Sequence, residues 1–118
     1  MDVNSIRAKL RGAILTVRVV SAVGLSAVDK LDPYIMIKIV GSTQVVKSPV
    51  YEDAGANPIF DFEARFRYNG ETVVDIAVWD KDRFSKDEIL GTTSLSIEQS
   101  PAGATKFGKY SKVFEIIS

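Results

Sequence analysis

Residues 60–68 alternate without interruption between apolar and charged side chains, and few folds accommodate that pattern. The apolar positions are Phe60, Phe62, Ala64, Phe66 and Tyr68, and the charged positions between them are Asp61, Glu63, Arg65 and Arg67. Successive side chains of a β-strand point to opposite faces of the sheet. One face of this strand is therefore expected to be buried and the other to lie in water, as in an antiparallel sheet.

Shorter runs of the same period follow one another along the chain. They cover residues 12–20, 34–40, 43–48, 74–78, 90–97 and 112–117. Asn69-Gly70 and Gly41-Ser42 predict hairpin turns between neighbouring strands, and Asn57-Pro58 breaks the chain before the Phe-rich strand. No segment shows a convincing helical period, so the pattern predicts strands. Residues 3–11 fit either a short helix or an edge strand.

This succession of strands predicts an all-β fold, an eight-stranded antiparallel β-sandwich. A chain of 118 residues fits one domain. We expect a single domain over residues 1–118, with its core in 12–118. Residues 1–11 are then an N-terminal extension or an edge strand.

Composition excludes several classes of function. The chain contains no cysteine and no histidine. Disulfides, zinc–cysteine sites and imidazole general bases are therefore absent, and we expect no enzyme. The formal net charge is zero, so nothing global indicates a nucleic-acid partner. Since apolar runs do not reach about 18 residues, we expect no membrane-spanning helix.

Acidic residues cluster in two loops of the predicted sandwich. The first cluster contains Asp29 and Asp32, and the second contains Asp80, Asp82, Asp87 and Glu88. In an antiparallel chain order, connections after strands one, three and five lie at the same end. Both acidic loops, together with Glu52 and Asp53, should therefore meet there.

Converging carboxylates repel one another unless protons, neighbouring lysines or a metal ion offset the charge. An all-oxygen ligand set in flexible loops favours Ca²⁺ over Mg²⁺ and transition metals. The alternative is a set of ordinary solvated loop acids beside basic neighbours. Those neighbours are Lys30, Lys81, Arg83 and Lys86.

Five segments together resemble the C2 domain family. They are 15–25, Asp32-Pro33-Tyr34-Ile35, Asn57-Pro58-Ile59-Phe60, 78–86 and Ile89-Leu90-Gly91. The acidic segment 78–86 is similar to the third calcium loop of synaptotagmin-like domains, whereas the short first loop resembles that of cytosolic phospholipase A2-like domains. The resemblance implies a C2-type sandwich, and the late start of its first strand favours the topology with the extra strand at the C-terminus, supplied by 109–117.

The resemblance also implies a set of calcium ligands. Asp29 and Asp32 correspond to ligands of the first loop, and Asp80, Asp82 and Glu88 to ligands of the third. Glu88 replaces an aspartate of the family, so Asp87 is a spare candidate. Ser85 and the Lys81 carbonyl are lesser candidates.

The function implied is calcium-dependent binding to anionic or zwitterionic phospholipid membranes. Leu31 and Phe84 would enter the headgroup–acyl boundary, and Arg83 would reach phosphate. We expect a cytoplasmic monomer that becomes a peripheral membrane protein when calcium rises. The alternative is a calcium-independent module that binds proteins.

A phosphoinositide site on the concave face is not expected. Met36 stands where the family often has lysine, and Lys38 and Lys47 make a weak patch. Trp79 is expected to serve the structure.

Overall fold

The computed structural model describes residue 12 and residues 14–25, 30–97, 104–105 and 114–117. These residues form eight strands and no helix. The strands are β1 (Ile14–Ser21), β2 (Pro33–Ile39), β3 (Val45–Lys47), β4 (Ile59–Arg67), β5 (Val73–Asp80), β6 (Glu88–Ser96), β7 (Ala104–Thr105) and β8 (Phe114–Ile117). No helix that could cross a membrane is found in this part of the chain.

Two four-stranded sheets make the sandwich. One has the strand order β4-β1-β8-β7 and the other β3-β2-β5-β6. All pairs are antiparallel, which confirms the predicted all-β class. The C-terminal strand β8 pairs with β1 over four residues from Thr16 to Val19, the arrangement expected when the extra strand lies at the C-terminus.

The core is an aliphatic and aromatic layer between the two sheets. Alternate residues of each long strand point into it, so the period-two pattern of the sequence becomes the two inner faces. The side chains below 2% exposure include Leu15, Val17, Val19, Ile35, Ile37, Ile39, Phe66, Val74 and Ile76. Apolar burial of this kind is the dominant favourable term in folding, so this layer holds the sheets and their loops together.

The turn before β3 shows where sequence and structure differ. Residues 43 and 44 were expected to belong to a strand, but β3 contains only Val45–Lys47. The Gln44 side chain instead donates from Nε2 to the Arg67 carbonyl at 2.9 Å and accepts from the Arg67 amide at 2.8 Å. The side-chain amide of Gln44 thus makes the two hydrogen bonds that a neighbouring strand would make, and it connects the turn to the end of β4 in the other sheet. The short strand β7 was missed, because residues 101–105 carry turn residues rather than alternation.

Three connections leave one end of the sandwich. L1 joins β1 to β2 (residues 22–32, described except for 26–29), L2 joins β3 to β4 (residues 48–58), and L3 joins β5 to β6 (residues 81–87). The turns at Gly41 and Gly70 lie at the other end, and these glycines have positive φ values of 85° and 87° respectively. Gly41 lies in the hairpin of β2 and β3. The hairpin predicted at Asn69-Gly70 is wrong, because this turn connects β4 of one sheet to β5 of the other and these two strands do not pair.

Two phenylalanines provide a matched test of the core. Phe66 is 1% exposed and Phe84 is 97% exposed. We expect Phe66→Ala to lower the free energy of unfolding by about 3–5 kcal/mol, because it leaves a cavity between the sheets. Phe84→Ala should change it by less than about 0.5 kcal/mol. Urea unfolding of both variants measures this, and equal losses would contradict the assigned core.

Candidate metal and membrane site

The three loops L1, L2 and L3 are held together by backbone hydrogen bonds. The Lys81 amide of L3 donates to the Asp32 carbonyl of L1 at 3.0 Å. The Ala54 amide of L2 donates to the Leu31 carbonyl of L1 at 3.1 Å. The convergence predicted from strand counting is therefore confirmed for the described part of these loops.

Asp32 and Asp80 lie side by side where L1 and L3 meet. The Asp32 amide donates to Oδ1 of Asp80 at 2.8 Å, and the Asp53 amide of L2 donates to Oδ1 of Asp32 at 2.7 Å. Asp53 reaches this position with a φ of 53°, a backbone conformation that aspartate tolerates better than most residues. Oδ1 of Asp32 thus joins L1 to L2, and Oδ1 of Asp80 joins the end of β5 to L1.

Asp82 organises the tip of L3. Its Oδ1 accepts from the Phe84 and Ser85 amides at 2.9 and 3.2 Å, and its Oδ2 accepts from the Ser85 hydroxyl at 2.7 Å. These donors, first the Phe84 amide and then the Ser85 hydroxyl, lower the pKa of Asp82. The carboxylate is therefore ionised at neutral pH and available as a ligand once the Ser85 hydroxyl turns away.

Asp87 is half-buried, as is Asp82, whereas the other residues of L3 are exposed. It accepts from the Tyr34 hydroxyl of β2 at 2.6 Å and from the Asp82 amide at 3.0 Å, and the Lys81 ammonium lies 3.7 Å from its Oδ2. The Asp82 amide and then the Tyr34 hydroxyl lower the pKa of Asp87. Burial, and then the bond to Asp87, raise the pKa of Tyr34 to about 12.

Glu88 differs from Asp87 in its surroundings. It is the first residue of β6, it is exposed, and it lies opposite Asp80 in the strand pair. Its carboxylate can therefore turn toward Asp80 and the space between the three loops. The carboxylate of Asp87 is already used by protein donors.

The structure brings Asp32, Asp80 and Asp82 to one end of the sandwich, and Asp29 lies outside the described residues. Carboxylate oxygens of this kind suit Ca²⁺. Across residues 30–97, however, no three acidic side chains are grouped closely enough to hold a metal ion. Because amides and a hydroxyl occupy most of these oxygens, the described residues fit calcium in ligand type but are not gathered around a common point.

The prediction for Leu31 is wrong. Its side chain is only 1% exposed, so it cannot enter a bilayer from this position. Leu31, Pro33 and Ile35 are two residues apart, and all three point inward. Leu31 therefore continues the inner row of β2 into L1. The sequence contains this period of two, but the prediction for Leu31 relied instead on its position between acidic residues.

Phe84 and its basic neighbours, in contrast to Leu31, lie at the surface. Phe84 is 97% exposed, and Arg83 and Lys86 are exposed beside it. The ring therefore does not pack beneath its own loop. The tip of L3 presents one aromatic ring between two cations.

A cavity of about 390 Å³ opens between the three loops. It is lined by Lys30, Asp32, Val50, Glu52, Asp53, Lys81 and Arg83. Glu52 and Asp53 of L2 line this cavity, in agreement with their predicted position at the same end as the two acidic loops. The sequence predicts no ligand role for them. In the structure Asp53 has a positive φ, and its amide reaches Asp32.

The outer face of the second sheet carries a shallow groove of about 350 Å³ that includes Met36, Lys38 and Trp79. Lys47 is engaged nearby, with its ammonium 5.2 Å from the centre of the Tyr34 ring. Trp79 is half-buried, and among the described residues its indole N–H has no hydrogen-bond partner. A dense lysine cluster is not present on this described face.

The raised pKa of Tyr34 predicts sensitivity to alkali. Because the folded state holds the phenol proton more tightly than an unfolded chain with a pKa of 10.0, this stabilisation is present below pH 10 and is lost as the pH rises through about 12. We expect wild type to lose more stability over that window than Tyr34→Phe. The difference in phenolate absorbance between the two proteins should titrate near pH 12, and a midpoint near 10 would contradict the assigned environment.

Comparison with known proteins agrees with this architecture. The C2 domain family matches residues 13–111. Elicitor-responsive protein 1 of Oryza sativa subsp. japonica is 30% identical over 95 residues, which cover 71% of this chain and 58% of that protein. The chain therefore spans less than two thirds of this relative's length.

Three solved structures share the fold. A C2 domain of plant Extended Synaptotagmin 1 is 22% identical with a TM-score of 0.67, covering 90% of this chain and 93% of that one. A C2 domain-containing protein from a putative elicitor-responsive gene is 25% identical with a TM-score of 0.67, covering 89% and 87%. Human GIVD cytosolic phospholipase A2, solved with an inhibitor and terbium chloride, is 21% identical with a TM-score of 0.75, covering 88% and 17%.

The similarity to the phospholipase does not indicate an enzymatic activity. Only 17% of the phospholipase chain is matched, so the match is no sign of its catalysis. C2 domains are typically non-catalytic modules that commonly bind membranes or proteins, and they often bind Ca²⁺. With the family match over most of its length and the sandwich described above, the chain belongs to the C2 domain family.

Proposed function

We propose that this chain is a calcium-dependent phospholipid-binding module that brings itself, or a protein attached to it, to membranes. The observation that carries the proposal is the meeting of L1, L2 and L3 at one end, with Asp32 and Asp80 linked by a hydrogen bond of 2.8 Å. In this proposal residues 1–118 act as one C2 module. Its place is the cytoplasm, and it moves to the membrane surface when calcium rises.

The proposed ligands come from two loops and the strand ends beside them. Asp80 and Asp82 offer carboxylates at the start of L3, and Asp32 offers one from L1. Glu88 is exposed opposite Asp80 and can turn toward them. Asp29, Ser85 and the Lys81 carbonyl complete the candidate set. Bound Ca²⁺ would supply positive charge to a mouth that is otherwise rich in carboxylates.

The tip of L3 provides the proposed contact with lipid. Phe84 is almost fully exposed, and the flanking Arg83 and Lys86 can pair with headgroup phosphates. Burial of one aromatic side chain contributes about 1.5–3 kcal/mol. Docking is then reversible, and it requires the charge in the mouth to be offset first.

A second function is favoured by a specific observation. The carboxylates of Asp82 and Asp87 are satisfied by protein donors, and the described residues include no metal-sized group of three acids. A calcium-independent module that binds a protein would need no rearrangement of L3. The same experiment separates the two functions.

The decisive experiment is co-sedimentation with phosphatidylserine–phosphatidylcholine vesicles, with calcium and with chelator. We expect wild type to pellet only with calcium, because the carboxylates otherwise repel anionic lipid. The double variant Asp80→Asn/Asp82→Asn should stay in the supernatant. Asp75→Asn is the matched control, since Asp75 accepts from Ser94 at 2.6 Å on the outer face of β5 and away from the loops.

Two outcomes would contradict the calcium-dependent function. Equal pelleting with calcium and with chelator would exclude the switch. No pelleting under either condition, with no heat of calcium binding by calorimetry, would favour the protein-binding alternative.

The role of Phe84 is tested by its truncation. Phe84→Ala should weaken calcium-dependent vesicle binding by about 10- to 100-fold, because the loss of about 1.5–3 kcal/mol of burial appears directly in the partition constant. Ile14→Ala is the control, since Ile14 is 51% exposed but pairs with Arg67 at the other end of the sandwich. Titration with vesicles measures both, and similar binding by the two variants would remove Phe84 from the contact surface.

A further inference from the structure

The Asp87 carboxylate contacts a residue of strand β2, Tyr34, and two residues at the start of L3, Lys81 and Asp82. Its Oδ2 accepts from the Tyr34 hydroxyl at 2.6 Å and lies 3.7 Å from the Lys81 ammonium. Its Oδ1 accepts from the Asp82 amide at 3.0 Å. Both oxygens are therefore used by donors of the protein. We name the set Tyr34, Asp87 and the Asp82 amide the Asp87 bridge.

Tyr34 anchors this bridge to the rigid part of the fold. It is 6% exposed, and it lies in β2 opposite Trp79 of β5. The Lys47 ammonium from β3 lies 5.2 Å from the centre of its ring. Because β3 and β5 flank β2 and place Lys47 and Trp79 beside the ring, the Tyr34 hydroxyl is a fixed point from which L3 can be positioned.

The other end of the bridge fixes the backbone of Asp82. Asp82 and Asp87 are the ends of a six-residue segment, and the bond between the Asp82 amide and Oδ1 of Asp87 closes that segment into a ring. Within the ring, the Asp82 carboxylate accepts from the Phe84 and Ser85 amides. The direction of the Asp82 carboxylate thus depends on the hydroxyl of Tyr34, which lies outside the loop.

We propose that Asp87 is a positioning residue that, through Tyr34, fixes the backbone of L3 and with it the direction of the Asp82 carboxylate. This inference rests on the proposed function. Ligation by Asp87 itself would bring the metal ion close to the Lys81 ammonium, which lies 3.7 Å from Oδ2, and the two positive charges would repel each other. Glu88 remains the candidate ligand at that end of L3.

Tyr34→Phe is the decisive variant because it removes one hydroxyl and no charge. We expect calorimetry to show calcium affinity weakened by about 2- to 10-fold, the effect of losing one hydrogen bond that orders the loop. Tyr51→Phe is the matched control, since the Tyr51 hydroxyl donates to the Phe60 carbonyl at 3.0 Å without touching L3.

A double-variant cycle separates positioning from the charge of Asp87. Asp87→Ala lowers calcium affinity in part by removing a negative charge. In that background Tyr34→Phe should cause no further loss, because the bond is already absent. A full additional loss of about 2- to 10-fold there would overturn the bridge, and so would an unchanged or tighter affinity in Tyr34→Phe alone.

Amide exchange tests the bridge without metal. In calcium-free protein we expect the Asp82 amide to exchange faster in Tyr34→Phe and in Asp87→Ala, and at the wild-type rate in Tyr51→Phe. Unchanged exchange in both bridge variants would overturn the inference. If wild type binds no calcium, the proposed function fails, and the exchange result alone decides whether the bridge positions Asp82.

Discussion

The pairing of β2 with β5 determines where the candidate site can be. Pro33 lies opposite Asp80 at the end of this strand pair, so the residue before β2 and the last residue of β5 leave the sheet together. The Asp32 amide then reaches the Asp80 carboxylate, and the Lys81 amide reaches the Asp32 carbonyl. A slip of one residue in this register would turn the inner row of one of the two strands outward. Burial of the core and assembly of the loops are therefore consequences of the same register.

Much of this arrangement is predictable from the sequence because the strands alternate strongly. The inner rows, the Asn69-Gly70 turn and the shared end of the acidic loops follow from period two and from counting strands. What sequence could not supply is the direction of individual loop side chains. Leu31 stands among acidic residues yet continues an inner row. The Tyr34 hydroxyl meets Asp87 across 53 positions of the chain, a contact that depends on the fold of L3 over β2 and leaves no local pattern.

The carboxylates of the loops have two roles that compete for the same oxygens. In the described structure they accept from loop amides and hydroxyls, and these bonds connect L1, L2 and L3 to one another. Ligand oxygens for calcium must come from the same groups. The site is thus a balance between internal hydrogen bonding and metal coordination. The family match establishes the scaffold, but affinity depends on how readily groups such as the Ser85 hydroxyl release their acceptors.

The pairing of Gln44 with the backbone of Arg67 has a consequence for solubility. Edge strands expose unpaired amides and carbonyls, and these can template association with another chain. On this side of the sandwich β3 offers only three residues, and the Gln44 amide occupies backbone groups at the end of β4. The exposed face of β4 also carries alternating charges of both signs. Strand-to-strand association with another molecule is therefore blocked at the Arg67 end of β4.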